Sequence, residues 1–121
     1  MSIRRVVPNL ASNVVADTRD FYVNLLGFKV VMDMGWIVTV ASPSNETAQI
    51  SFAADGITSQ SDAPVLTVEV ADVDAVHAKA LAEGLELVRS LRDEEWGVRR
   101  FFVRDPDGRV VNVMSQPSMA G

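Results

Sequence analysis

The sequence contains no cysteine and a single histidine, His77, in 121 residues. The first absence excludes disulfides, thiolate nucleophiles and cysteine-ligated zinc. No serine–histidine pair or paired carboxylates stand at a recognisable spacing, so the usual marks of nucleophilic or two-carboxylate catalysis are missing. No glycine-rich loop is present to cradle a phosphate. The stretch Met1-Ser2-Ile3-Arg4-Arg5 meets Pro8 before a long apolar run develops. That fits neither a secretory signal nor a membrane span and makes the cytoplasm the expected compartment. Positive charge is also scarce: 11 basic against 16 acidic side chains give a net charge of −5 and a pI near 4.7. This balance argues against non-specific nucleic-acid binding. An acidic surface favours a cationic small ligand, although it also serves solubility alone.

A hydrophobic content of 48% with 22% charged residues suits one globular domain that buries a core without covalent staples. Arg5 to Ala11 is β-prone, but Pro8 confines it to a sheet edge or a bulge. Val14 to Leu26 is a predicted helix with Asn13 or Asp17 as N-cap and Thr18, Phe21, Tyr22 and Leu25 as its apolar stripe. Gly27 stops it. Strands are expected over Phe28–Met32, Trp36–Ala41 and Ala48–Ala53. Between them lie the turns Asp33-Met34-Gly35 and Ser42-Pro43-Ser44-Asn45, and Asp55-Gly56 closes the last. Thr58 to Pro64, small and polar, reads as a linker. A strand over Val65–Val70 follows, with Leu66, Val68 and Val70 on one face. Next comes a helix over Val73–Glu83, capped by Asp72 and ended by Gly84, whose stripe is Val73, Val76, His77, Ala80 and Leu81. Leu85 to Ser90 is a strand, and Arg92 to Glu95 an acidic loop.

The sharpest local signal is the stretch from Trp96 to Gln116. Two β-prone runs flank Asp105-Pro106-Asp107-Gly108. Pro fixes φ, Asp can bond its own backbone and Gly accepts positive φ, so the stretch predicts a β-hairpin. Strand, helix and three strands thus occur twice. A shift of 57 residues superimposes the helix exits Leu26-Gly27-Phe28-Lys29-Val30-Val31 and Glu83-Gly84-Leu85-Glu86-Leu87-Val88. A repeat of half the chain points to a duplicated βαβββ module rather than a solenoid. Neither half alone covers both faces of its sheet, so the halves are expected to pack together.

Phe21-Tyr22-Val23-Asn24-Leu25-Leu26-Gly27-Phe28, then Val70-Ala71-Asp72-Val73-Asp74, then Asp105-Pro106-Asp107-Gly108 occur in that order. With these signatures the chain resembles, over essentially its whole length, the vicinal oxygen chelate superfamily. That group holds glyoxalase I, extradiol dioxygenases and bleomycin-resistance proteins. The resemblance implies an α+β fold: a single domain, 1–121, of two tandem βαβββ modules, about 1–57 and 64–116, forming a cupped mixed sheet. It also implies a ligand or metal on the concave face, often beside a dimer interface.

Metal-using members of that superfamily carry ligands on the first and last strand of each module, usually His on the first and Glu, Gln or His on the last. The matching positions here are Val7, Ser51, Val65 and Asn112. A one-residue slip brings in Gln49, Asn9 or Thr67, which again supply no imidazole or carboxylate. A divalent ion needs several such donors, so no metal and no cofactor are expected. His77 sits on a helix stripe and reads as a partly buried helix residue rather than a ligand.

Glu69 lies opposite the apolar face of its strand, with Val65 and Thr67. It reads either as a cation-binding or basic carboxylate in the concavity or as a solvated strand residue. Trp36 and Trp96 each begin a predicted strand beside Gly35 or Gly97. They read either as pocket lining or as filling of the core or a dimer seam. Phe101 and Phe102 must face opposite sides of the sheet, so at most one lines the cavity and the other packs under a helix. Arg99, Arg100 and Arg104 stand near Asp93-Glu94-Glu95 and Asp105 and read as a charge network.

These readings converge on a metal-independent, homodimeric small-molecule binding protein of the bleomycin-resistance type, with no nucleic-acid or membrane partner. It would sequester an antibiotic or toxin, partly aromatic and cationic, in a cup lined by Trp36, Glu69, Trp96 and Asn112. The rival is an enzyme: a lyase, isomerase or oxygenase of the glyoxalase/dioxygenase type, with Glu69 as base or with divergent metal ligands. A third reading, a non-enzymatic partner module, predicts an exposed apolar patch.

Overall fold

The computed structural model describes residues 4–54 and 62–116; Asp55-Gly56 and residues 58–61 of the expected linker lie outside them. Two compact units, Met1–Thr58 and Ser59–Gly121, divide the chain. The first holds β1 (Asn9–Ala11), α1 (Val15–Asn24), β2 (Lys29–Asp33), β3 (Ile37–Ala41) and β4 (Gln49–Ala53). The second holds β5 (Pro64–Glu69), α2 (Val73–Ala82), β6 (Leu87–Asp93), β7 (Arg99–Arg104) and β8 (Val110–Ser115). Each forms its own four-stranded mixed sheet, in the order β1-β4-β3-β2 and β5-β8-β7-β6. The duplicated βαβββ pattern is therefore a duplicated topology: the first strand of each module runs parallel beside the last, and the other pairs are antiparallel.

In the first unit Pro8 stands just ahead of edge strand β1, where its missing N–H costs nothing, and its carbonyl accepts from Ser51 N–H at 2.9 Å. The stripe on α1 is buried as the spacing predicts: Thr18, Phe21, Tyr22 and Leu25 all lie inside. Tyr22 packs on Phe52 of β4 with ring centroids 4.7 Å apart, and its edges meet Phe21 and Phe28. Neither Asn13 nor Asp17 is the N-cap of α1. Val14 holds that position without a side-chain bond, and its own N–H donates to Ser12 Oγ at 3.2 Å. Asp17 falls in the first turn, where its charge complements the helix dipole.

The cap of α2 is as expected, with Asp72 Oδ1 accepting from Ala75 N–H at 3.1 Å. Ser115 Oγ ties the helix start to β8, accepting from Val73 N–H and donating to the Val70 carbonyl. Buried Val73 and Ala80 set the axis of the helix stripe, and His77 lies edge-on to Phe101 at 5.2 Å. Leu81, expected in that stripe, is 56% exposed. Each helical residue turns about 100° from the last, which rotates Leu81 off the narrow contact line made by Ala80. The expected acidic loop is also displaced. Arg92 and Asp93 belong to β6, and the turn runs instead from Glu94 to Val98, closed by Glu94 N–H to the Val98 carbonyl at 2.8 Å.

The closing hairpin has the predicted turn and one participant that its turn residues alone did not announce. Gly108 N–H donates to the Asp105 carbonyl, Asp105 N–H to the Arg109 carbonyl, and Gly108 has φ +85°, the three-residue loop that ends in a left-handed glycine. Asp105 Oδ1 accepts from the N–H groups of Asp107 and Arg109, at 3.0 and 2.9 Å. Arg109 then bonds Asp105 Oδ2 and Asp107 Oδ2, each at 3.2 Å, and all three side chains are buried.

Candidate functional site

In the second unit, strand alternation separates two faces. Phe101 meets the α2 residue His77, so Phe101 lies on the helix face and Phe102 on the open one. Register then places the other residues. Phe102 pairs with Asn112 on β8 and with Arg89 on β6, and Asn112 pairs with Thr67 on β5, giving a row Thr67–Asn112–Phe102–Arg89 across the open face. The next row is Glu69–Met114–Arg100–Arg92. Arg89 and Arg92 are three residues apart and would face opposite sides of a regular strand. Register shifts on both sides of Arg89 bring both to the open face, as β-bulges do when they re-aim side chains.

Three guanidinium groups converge on one carboxylate oxygen. Glu94 Oε1 lies 2.9 Å from Arg92 Nε, 3.4 Å from Arg100 Nε and 3.6 Å from Arg89 Nε, with the Glu94 side chain only 7% exposed. The hydrogen bond from Arg92, backed by the charges of Arg92 and Arg100, holds the Glu94 carboxyl below its ordinary range against the opposing effect of desolvation. Arg100 lies over two aromatic rings, 4.9 Å from the Phe102 centroid and 5.1 Å from that of Trp96, and Arg89 lies 5.6 Å from Phe102. Asn112, 7% exposed, donates from Nδ2 to Thr67 Oγ1 at 3.2 Å, while its Oδ1 has no hydrogen-bond donor among the described residues. Turning the amide over leaves the other polar atom in the same position. Arg89 Nε is likewise buried without a hydrogen-bond acceptor. Each such group costs about 1–3 kcal/mol unless something pairs with it.

Of the four residues expected to line a site, Asn112 and Glu69 thus share the open face of this sheet, and Trp96 reaches it through Arg100. Glu69 is exposed at the β5 edge. Neither tryptophan starts a strand or fills the core. Trp96 lies in the β6–β7 turn at 65% exposure and Trp36 in the β2–β3 turn of the first unit at 52%. Each precedes or follows a glycine with positive φ, Gly35 at +83° and Gly97 at +102°. Of the arginines expected to form a charge network, Arg99 pairs with Asp74 and Asp93, and Arg104 with Asp62 and Glu86. Arg89 and Arg92 were not anticipated. Their spacing hides them, because only the bulges place them together.

The metal-ligand positions also shift. Register sets Asn9 beside Ser51 and Thr67 beside Asn112, so Val7 and Val65 are not the partners of the last strands. The register is continuous from Val6 beside Ala48 to Asn9 beside Ser51, which leaves Val7 two residues short of Ser51, and a bulge at Val65 displaces the other pairing. Ser51 Oγ is 2.7 Å from Thr39 Oγ1. Within each unit one hydroxyl and one amide make a neutral donor pair that does not fit a divalent cation. Among the described residues no three His, Cys, Asp or Glu side chains come together in any metal-binding group. A cleft of about 230 Å³ at the start of α2, lined by Asp72, Asp74, Asp93 and Arg99, contains none of the expected site residues. It is smaller than the roughly 300 Å³ at which ligand pockets begin, Arg99 pairs with both Asp74 and Asp93, and Asp72 caps α2.

The family model for the Glyoxalase/Bleomycin resistance protein/Dioxygenase superfamily matches residues 3–113. The chain belongs to this superfamily. Solved structures of similar fold include a superfamily member from Sphaerobacter thermophilus, 22% identical, with a TM-score of 0.79 over 95% of this chain and 98% of that one. TnmS3, an antibiotic binding protein from Streptomyces sp. CB03234, is 24% identical, with a TM-score of 0.79 over 97% and 99%. TioX from Micromonospora sp. ML1 is 20% identical, with a TM-score of 0.76 over 95% and 100%. No curated protein matches the sequence. At these identities the likeness fixes the fold and leaves the ligand open. Among the described residues, no helix of this superfamily member is long and apolar enough to cross a membrane.

Proposed function

We propose that this chain is a metal-independent small-molecule binding protein that sequesters an aromatic compound, of the antibiotic or toxin kind, on the open face bearing Asn112, Glu69, Phe102 and Trp96. The observation that carries this reading is Asn112 Oδ1, a buried acceptor without a donor among the described residues, across the ladder from Phe102, which a ligand hydroxyl or N–H would satisfy. The likeness to TnmS3, itself an antibiotic binding protein, supports it. The enzymatic alternative draws on Glu69, which is exposed and has no second acid, base or nucleophile beside it in the sheet register. Titration with a panel of planar aromatic compounds is expected to quench tryptophan fluorescence saturably, and Trp96→Phe to remove most of the signal. A folded protein that answers to none of them would sink the proposal, and a stoichiometric divalent ion in the purified protein would overturn its metal independence.

The chain is also proposed to dimerise through the β2 edge of the first unit. That strand is exposed along its length, and Val30, Val31, Met32, Met34 and Trp36 present apolar surface beside a strand edge that pairs with nothing among the described residues. Sedimentation is expected to give a dimer, and Val31→Lys with Met32→Lys to give a monomer; a monomeric wild-type protein at tens of micromolar would refute it.

A further inference from the structure

The expectation of a cationic ligand came from the charge of the whole chain, and the local charge of the open face points the other way. Arg89, Arg92 and Arg100 surround Glu94, so three positive groups meet one negative group and, among the described residues, two charges remain without an ion-pair partner. Each guanidinium approaches Glu94 through Nε, which leaves its Nη groups without a hydrogen-bond partner among the described residues. Glu69 carries the opposite charge on the same face, but it stands at the far edge, with Met114 of β8 between it and Arg100 of β7. Strands lie about 4.8 Å apart, so this carboxylate is roughly 10 Å from the Arg100 strand position and is screened by solvent. Glu95 follows Glu94 in the exposed turn.

Resting on the binding role proposed above, we infer that the ligand is a planar aromatic anion, a carboxylate or acidic phenol, that also carries a hydroxyl or N–H donor. The guanidinium Nη groups match its oxygens with planar, charge-assisted bonds. Asn112 Oδ1, buried and unpaired among the described residues, takes the ligand's donor. The outer face of Trp96 stacks on the aromatic ring, since Arg100 covers only one side of an indole that is 65% exposed. An uncompensated cationic cluster beside aromatic planes rejects a cationic drug of the same shape.

Three planar aromatic probes that differ in charge separate the possibilities: 3-hydroxy-2-naphthoate, neutral 2-naphthol and the larger, tricyclic cation proflavine, each titrated calorimetrically into the full chain. The hydroxynaphthoate is expected to bind at least about tenfold more tightly than naphthol, and proflavine most weakly. Arg92→Gln alters a half-exposed side chain and should fold; it is expected to lose about tenfold for the acid and less than about twofold for naphthol. Raising salt should weaken the acid alone. Arg89→Gln, checked for folding by circular dichroism, should act in the same direction. Preferential binding of proflavine, or equal affinities unchanged in Arg92→Gln, overturns the anionic assignment while leaving a small-molecule binder. Failure of all three probes overturns both.

Discussion

Asp105→Ala should lose about 3–5 kcal/mol of stability and lower the urea midpoint by roughly 1–3 M, the largest effect expected of any polar substitution in this chain. The carboxylate performs three tasks at once. Its Oδ1 accepts the backbone N–H groups of Asp107 and Arg109, which fixes the loop, and its Oδ2 accepts from buried Arg109 Nε. Removal leaves two backbone donors without that acceptor and strips the guanidinium of one partner. Arg109 retains Asp107 Oδ2 at 3.2 Å, which places the expected loss toward the lower end of the range. Asp105→Asn keeps a carbonyl for the backbone donors but loses the charge, so an intermediate loss is expected. A loss below about 1 kcal/mol for the alanine variant would show that the network is neutral to stability, as some replaced buried ion pairs are.

This network also shows where sequence reading stops. Asp-Pro-Asp-Gly is a local signal, and its turn could be read because φ preferences act within four residues. Arg109, immediately after the turn, has its role only because the folded loop excludes water around its guanidinium, and burial is a tertiary property. The same distinction runs through the fold. The duplicated βαβββ order, the stripe of α1 and the Asp72 cap are periodic or adjacent features, and the structure has them. Leu81, the α1 cap and the position of β6 depend on how a helix is rotated against its sheet or where a ladder ends. On the open face, the position of Asn112 along β8 is legible because the hairpin turn fixes where that strand begins. The approach of Arg89 and Arg92 is not legible, because two register shifts carry them to one face and no composition or period announces a bulge. The charge balance is silent on the site for a related reason: a sum over 121 residues does not describe the field at one cluster.

Tyr22→Ala should cost about 3–5 kcal/mol, whereas Leu81→Ala should stay within about 0.5 kcal/mol of the parent. Both residues were placed on apolar helix stripes by the same spacing rule, so hydrophobicity alone predicts two similar losses. Geometry separates them. Tyr22 is wholly buried between α1 and β4, against Phe52 at 4.7 Å, Phe21 at 5.0 Å and Phe28 at 6.1 Å. Truncation there opens a cavity that three rings held in their rotamers cannot readily fill. Leu81 already spends more than half of its surface in water, and its removal leaves Ala80 against the sheet. Urea titration of the two variants measures the difference. Comparable losses would mean that Leu81 is covered in solution, and the partner most economically invoked would be another protein surface laid over α2. Well-separated losses would instead assign the stability of the first unit to the aromatic cluster beneath α1, the packing that orders β4 and with it Ser51 in the strand beside Asn9.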